Sequence, residues 1–421
     1  MGGVFISPDS RMSESPGKPL SPPAELYLWG FPTVSVHRTR LMLSSHHDTG
    51  TLRHIESLAT PNDKAIVAIN NDTLYSSGWY DLSHGDVMID VPPMDKPNRY
   101  WNLMVVDAYT HVAYVSRRHH GVSGVSARVT FDPRAEPLDD RDTTIRLGTR
   151  TAWIIIRVLV ESPEDLAQAR ALQRQFSVRP APDHPHIRME PAGRAAKIAE
   201  SGAPFFTELR GYVAHSPPAP WHPALSPAAK AILDDPSCLT DAELEAGIQE
   251  AEALIKSGRT TDTVFKNGWS TGRAAGGPGD DILKRAVGAK FGLGGHYAVE
   301  NRSYMALSDS QRSALSGEHE LCMKFDADNL PPCDAFWSLT AYGMDLYLVE
   351  NEINRYSIGD RTPDLHHDDD GGLTVILSSQ RPQRAGNWLP VPSGPYMLGM
   401  RVYEGHSSVL DCDWFPPPLT R

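Results

Sequence analysis

Apolar and polar positions alternate in two closely spaced segments, Asn70 to Asp81 and Tyr100 to His111. Alternation of β-branched and aromatic residues with polar ones predicts strands. Every second side chain of such a strand shares a face. Read as one strand over residues 100–115, the second segment puts Asp107, Tyr109 and His111 on the same side. The same texture predicts strands over residues 65–69, 73–81, 87–91, 126–131 and 153–159, separated by turn clusters such as Ser83-His84-Gly85-Asp86. Short strands at this spacing indicate a sandwich.

The period then changes. Ser162-Pro163-Glu164-Asp165 opens a helix with a serine cap, a first-turn proline and two acids at the N-terminus. Further helices are predicted over residues 204–213, 226–233, 240–257 and 280–291, the third opened by a Thr240–Glu243 capping box. Upstream, residues 24–45 read as a short helix that continues past a kink at Pro32. Strand texture resumes over residues 321–325, 335–342, 374–378 and 396–403. The expected fold is mainly β with a helical insert. A disordered lead over residues 1–23 precedes an N-terminal β-sandwich over 24–161. A helical segment over 162–300 and a C-terminal β domain over 301–421 follow.

A chain of 421 residues exceeds what one hydrophobic core usually supports, which agrees with this division. A net charge of −12 disfavours a nucleic-acid partner, which needs a basic surface, and disfavours an anionic membrane. The four cysteines are scattered without a C-x-x-C pair, as expected for reduced thiols in a cytosolic protein. The Ser-, Pro- and Gly-rich lead lacks the apolar run of a secretory signal, and no stretch approaches the roughly 20 apolar residues of a membrane helix. The expectation is a cytoplasmic protein.

Metal and cofactor signatures are absent by spacing. His366-His367-Asp368-Asp369-Asp370-Gly371-Gly372 ends in a turn signal before a strand. Adjacent His119 and His120 point to opposite faces if they lie in a strand. His184-Pro185-His186 has the spacing of a metal-binding strand, but its proline argues against a central strand. No phosphate loop, dinucleotide fingerprint or nucleophile elbow occurs, so no metal and no cofactor are expected. Residues 351–361 form an Asn- and Arg-rich loop in which Arg355 presents a planar fork suited to an anion or carbonyl. Trp337, Trp388 and Tyr342 read either as an aromatic wall or as packed core.

The run from Tyr27-Leu28-Trp29-Gly30-Phe31-Pro32 through Asn70-Asn71-Asp72-Thr73-Leu74-Tyr75-Ser76-Ser77 to Asp107-Ala108-Tyr109-Thr110 resembles the domain of unknown function catalogued as 1254. The runs Asp334 to Thr340, Glu350-Asn351, Asn354 to Asp360 and Asn387-Trp388-Leu389-Pro390 resemble its usual C-terminal companion, catalogued as 1214. The resemblance implies an N-terminal β-sandwich, a helical insert and a C-terminal jelly-roll-like sandwich. It carries over no activity and no catalytic residues.

The functional expectation is a cofactor-independent enzyme that acts on a small organic molecule by acid–base chemistry. Hydrolysis, elimination and cyclisation all fit. The site is expected where the two β domains meet, since pockets favour domain interfaces. There Asp107 orients His111, His111 or Tyr109 moves the proton, and Arg355 holds an oxyanion. Tyr75, Asn71, Trp337, Tyr342 and Glu300 complete the substrate-binding set. A homo-oligomer is compatible with this reading. The alternatives are a carbohydrate or small-molecule binding protein without turnover, and a metal-assisted enzyme.

Overall fold

The computed structural model describes residues 19–64, 67–135, 143–188, 202–273 and 275–421, with the backbone but not the side chains of Arg259 and Thr260. It opens with helix α1 (Pro22–Ser44), which begins inside the predicted lead and carries Pro32 within it. Pro22 sits in the first turn, where proline is pre-organised for a helix. Just before it, the Ser21 hydroxyl donates to Glu250 at 2.5 Å. The rest of the lead, residues 1–18, lies outside the described residues.

The N-terminal sandwich is built from β1 (Arg53–Ile55), β2 (Thr73–Asp81), β3 (Val87–Val91), β4 (Trp101–Val106), β5 (Val112–Ser116), a short helix α2 (Arg117–His120), β6 (Val125–Thr130), β7 (Thr143–Arg146), β8 (Thr151–Leu159), helix α3 (Leu166–Gln173) and β9 (Ser177–Arg179). One sheet runs β1-β2-β8-β4-β5 and the other β7-β6-β3-β9. Leu103, Val105, Ile154, Ile156 and Val158 of the first meet Val87, Ile89, Ala127 and Val129 of the second in one core.

Every residue of β8 is buried, so this sheet is covered on both faces. Its second face begins with an apolar half: Trp79 stacks on Trp153 at 4.8 Å, and Met104, Val106 and Ile155 pack with Val36 of α1. Helix α1 also centres a helical layer with α4 (Ala203–His215), α5 (Pro227–Asp234), α6 (Asp241–Thr261) and α7 (Ile282–Gly292). Local chemistry starts these helices as the sequence implies. Ser226 Oγ accepts from the Ala229 N–H, and Thr240 and Glu243 cap each other reciprocally.

Between α6 and α7 lie β10 (Thr263–Lys266) and β11 (Trp269–Gly272). The C-terminal sandwich adds β12 (Asn301–Ala306), β13 (Leu321–Phe325), β14 (Cys333–Gly343), β15 (Ser357–Gly359), β16 (Leu373–Ser378), β17 (Asn387–Pro390), β18 (Tyr396–Gly405), helix α8 (Ser407–Leu410) and β19 (Leu419–Thr420). Its sheets run β10-β11-β12-β18-β14-β15 and β17-β16-β13-β19, and both contribute to one core around Trp269, Tyr304, Met323, Phe325, Leu339, Val375 and Met400. The β16–β17 pair is parallel, which alternation alone does not predict. The chain is thus mainly β: two sandwiches, with a helical layer packed on the N-terminal one.

Several predicted elements differ in detail. The strand expected over residues 100–115 is two, because β4 and β5 pair antiparallel as a hairpin. Residues 65 and 66 of another expected strand lie outside the described residues, and 67–69 lie outside any strand. Among its described residues, the stretch 162–300 supplies three strands besides its helices, and these extend sheets of the flanking sandwiches. His119 and His120 sit in α2, not in a strand. The Asp368–Gly372 segment is the expected turn, with the Gly371 N–H donating to the Asp368 carbonyl at 2.8 Å.

Candidate functional site

The β4–β5 turn holds the acid, phenol and imidazole, but not as one strand face. Asp107 ends the strand, and its N–H donates to the His111 carbonyl at 3.0 Å. Its Oδ1 accepts from the Tyr109 N–H (2.8 Å) and the His111 N–H (2.9 Å), so one carboxylate oxygen organises the turn. Thr110 takes the left-handed conformation that closes it, at φ 63°. The other oxygen, Oδ2, lies 3.0 Å from His111 Nδ1. Asp107 is wholly buried, while the His111 side chain is 26% exposed.

The helical segment closes over this turn. The His111 and His222 rings meet edge-on at 5.3 Å, and His222 also packs against Tyr109 and Trp29. His222 is 6% exposed, and neither of its ring nitrogens has a hydrogen-bond partner among the described residues. Burial, then the charges of His111 and Arg285, hold its pKa down to about 3, against the pull of Asp107. Arg285 Nη1 donates to the Tyr109 carbonyl at 3.0 Å, and the Tyr297 hydroxyl to the Thr110 carbonyl at 3.1 Å. Tyr109 is spent structurally: its buried hydroxyl donates to the Ser216 carbonyl at 3.0 Å, and burial raises its pKa. Of the two proton carriers expected, only His111 keeps an accessible ring.

At the other end of the hairpin the same sheet face turns polar. Tyr75 pairs with Arg157, Arg157 with Asn102, and Asn102 with Ser116, making one cross-strand row over β2, β8, β4 and β5. Glu300 docks on this row from the edge of the C-terminal sandwich. It accepts from Ser116 at 2.7 Å and Asn102 at 2.9 Å, and burial raises its pKa against these donors. His296 Nε2 lies 2.9 Å from both Arg157 Nη1 and Asn102 Oδ1. Nearby, Asp72 accepts from Ser338 at 2.7 Å and pairs with Arg361. Arg401 donates to the Tyr342 hydroxyl at 2.8 Å and to the Ala68 carbonyl at 2.5 Å. The two sandwiches therefore meet through a buried, hydrogen-bonded seam.

The expected site residues divide accordingly. Asp107, Tyr109 and His111 come together in the turn. Tyr75, Glu300 and Tyr342 belong to the seam, and Tyr75 accepts from Asn70 at 2.8 Å. Asn71 has a buried Oδ1 without a partner. Trp337 is core, packed on Phe325 at 5.3 Å. Arg355 donates to the Trp388 carbonyl at 2.9 Å, within the C-terminal sandwich. Glu300 does not reach His111, because its partners Asn102 and Ser116 pair at the far end of the hairpin from the turn. The position expected for the dyad between the two β domains is therefore replaced by one between the N-terminal sandwich and the helical layer.

Sequence reasoning missed His222, which sits in a proline-rich loop without any periodic signal. Arg157 and Arg401 did carry one. Each is the lone cation in a mainly apolar, wholly buried strand, and a buried charge must be paired or hydrogen-bonded. In His184-Pro185-His186, His184 serves the fold and His186 is exposed. His184 Nε2 accepts from the Asp81 N–H at 2.8 Å, and Nδ1 lies 2.9 Å from the Pro185 carbonyl. Among the described residues, no group of three His, Cys, Asp or Glu side chains is placed to hold a metal ion.

Residues 49–180 match the model of a protein of unknown function, DUF1254, and residues 300–407 that of a second, DUF1214. The chain thus carries both domains, the first N-terminal and the second C-terminal. The matched segments cover the N-terminal sandwich with its hairpin turn and most of the C-terminal sandwich, so turn and seam both lie in DUF1254–DUF1214 sequence. The fold is similar to the crystal structure of the VPA0106 protein from Vibrio parahaemolyticus. That likeness has 23% identity and a TM-score of 0.67, over 95% of this chain and 98% of that one. An uncharacterized protein from Burkholderia cenocepacia aligns at 14% identity and a TM-score of 0.45, over 90% of this chain and 84% of that one. No curated protein matches the chain. Among the described residues, no helix is long and apolar enough to cross a membrane.

Proposed function

We propose that this protein is an enzyme that moves a proton on a small organic molecule, with His111 as the acid–base group and Asp107 as its positioning residue. The observation that supports this most is the contact of His111 Nδ1 with the buried Asp107 carboxylate. It fixes the ring through Nδ1 and leaves Nε2 of a partly exposed imidazole without a hydrogen bond among the described residues. A histidine oriented by a carboxylate is a common general base. Water activation in hydrolysis, and proton abstraction in elimination or cyclisation, all use such a group. Tyr109 and Arg285 act by holding the turn, through Ser216 and the Tyr109 carbonyl.

The test is a panel of small esters, lactones and β-substituted acids turned over by the intact chain. His111→Ala should lower any turnover by about 10²-fold or more, at an unchanged melting temperature. Asp107→Asn keeps an acceptor for the two turn N–H groups but gives His111 Nδ1 a different partner, so it should slow turnover while the turn persists. Turnover that survives both substitutions sinks the assignment. Binding without turnover by the wild type favours the alternative of a binding protein.

A further inference from the structure

A cavity of about 430 Å³ opens between α1 and α4, lined by His37, Arg40, Leu41, Glu208, Gly211 and Tyr212 among others. Its size is that of a small-molecule pocket. Arg40 reaches it with no hydrogen-bond partner among the described residues, and its Nε is buried without one. This is unusual, because a guanidinium carries five donors in a fixed fork. The neighbouring acids are already matched. Glu208 accepts from Arg38 at 2.7 Å and from the Tyr212 hydroxyl at 2.8 Å. Asp81 pairs with Arg150 at 2.6 Å and accepts from the Ser83 hydroxyl at 2.7 Å. That leaves one uncompensated positive charge.

His37 also lines the cavity, 4% exposed, and its Nε2 has no partner among the described residues. Its ring lies flat on Tyr212, with centroids 4.2 Å apart and planes within 4°. Leu41 adds an aliphatic wall. At Gly211, an added Cβ meets nothing within 4 Å, so the helix leaves open space there.

We propose that this cavity binds a small organic monocarboxylate, its carboxylate on the Arg40 fork and its apolar body against Leu41 and the His37–Tyr212 stack. A planar carboxylate matches a guanidinium fork with two parallel hydrogen bonds. A single charge fits because, among the described residues that line the cavity, Arg40 is the cation left without a partner. Burial, then the charge of Arg40, lowers the pKa of His37 to about 3, and burial also lowers that of His215. Both rings are therefore neutral near pH 7 and add no second positive charge. The pocket shares no residue with the Asp107–His111 pair, and the inference does not rest on the proposed catalysis.

Isothermal titration of the full chain with acetate, hexanoate and benzoate tests it, with benzamide as the neutral counterpart of benzoate. At least one acid should bind, and benzoate should bind better than benzamide. Arg40→Gln should weaken the acid roughly tenfold or more, the scale of a lost charge-assisted hydrogen bond. The fold should hold, since Arg40 has no partner to abandon. Gly211→Leu leaves the charge in place and fills the open space, and it should weaken binding similarly. His111→Ala should bind as the wild type does. The proposal is overturned if none of the three acids binds at about 10 mM, where a millimolar Kd still registers. Equal binding of benzamide, or undiminished binding by Arg40→Gln, also overturns it.

Discussion

Replacing His222 by phenylalanine should change how the protein responds to acid. The ring is packed among Trp29, Tyr109 and His111 at centroid distances of 5.3, 4.6 and 5.3 Å, with neither nitrogen bonded. Burial lowers its pKa from the usual 6.5 to about 3. Between those two values the unfolded chain binds a proton that the folded protein refuses. Stability therefore falls as pH drops from about 6.5 towards 3, and this contribution is flat above 6.5. The slope is roughly 1.4 kcal/mol per pH unit, so acidification from pH 6.5 to 5 costs about 2 kcal/mol through this residue alone. Phenylalanine has a similar shape and no proton to bind. It also removes two orphaned nitrogens, although its fit among three rings sets a constant offset of either sign. The offset does not depend on pH, so the slope is the diagnostic quantity. Urea unfolding of both proteins between pH 7.5 and 5, followed by tryptophan fluorescence, should give stability curves that diverge on acidification. A residual slope should persist in the variant from His37, which burial also holds at about 3. Parallel curves for the two proteins would refute the reasoning.

Asp165→Ala should destabilise the N-terminal sandwich by about 3 kcal/mol in urea unfolding, because it strips the wholly buried Arg99 of one of its two carboxylates. Asp107→Ala orphans the Tyr109 and His111 N–H groups and should cost about 2 kcal/mol or more, whereas Asp107→Asn should stay within about 1 kcal/mol. Gly317→Ala places a Cβ 1.9 Å from the Pro392 carbonyl oxygen, a backbone atom, and should lower stability by roughly 1–3 kcal/mol in a thermal scan. An unchanged melting temperature in that variant would mean that the Gly317–Pro392 approach relaxes freely.

Element type was legible where one period ran long enough. The capped helices after Ser226 and Thr240 are local: their first N–H groups are satisfied by side chains within a few residues. The longer strands β2, β3, β4, β6, β8, β13, β14, β16 and β18 were legible from their β-branched and aromatic texture, whereas β1, β7, β12, β15 and β17 were not. The hairpin was not visible, because Val105 to Val115 keeps strand-like residues through the turn and only Thr110 at positive φ reverses the chain. That reversal removes the shared face predicted for Asp107, Tyr109 and His111, yet it brings Asp107 and His111 together more closely than a strand would. A carboxylate that caps two N–H groups reaches the imidazole four residues on. The sequence by itself thus determined which residues make the dyad, because they are near neighbours. What covers the dyad was decided by tertiary structure. His222 and Arg285 arrive from segments more than a hundred residues away. Glu300, Tyr75 and Tyr342 were drawn instead into the seam between sandwiches, where buried polar groups must find partners and the long-range packing of the sheets supplies them.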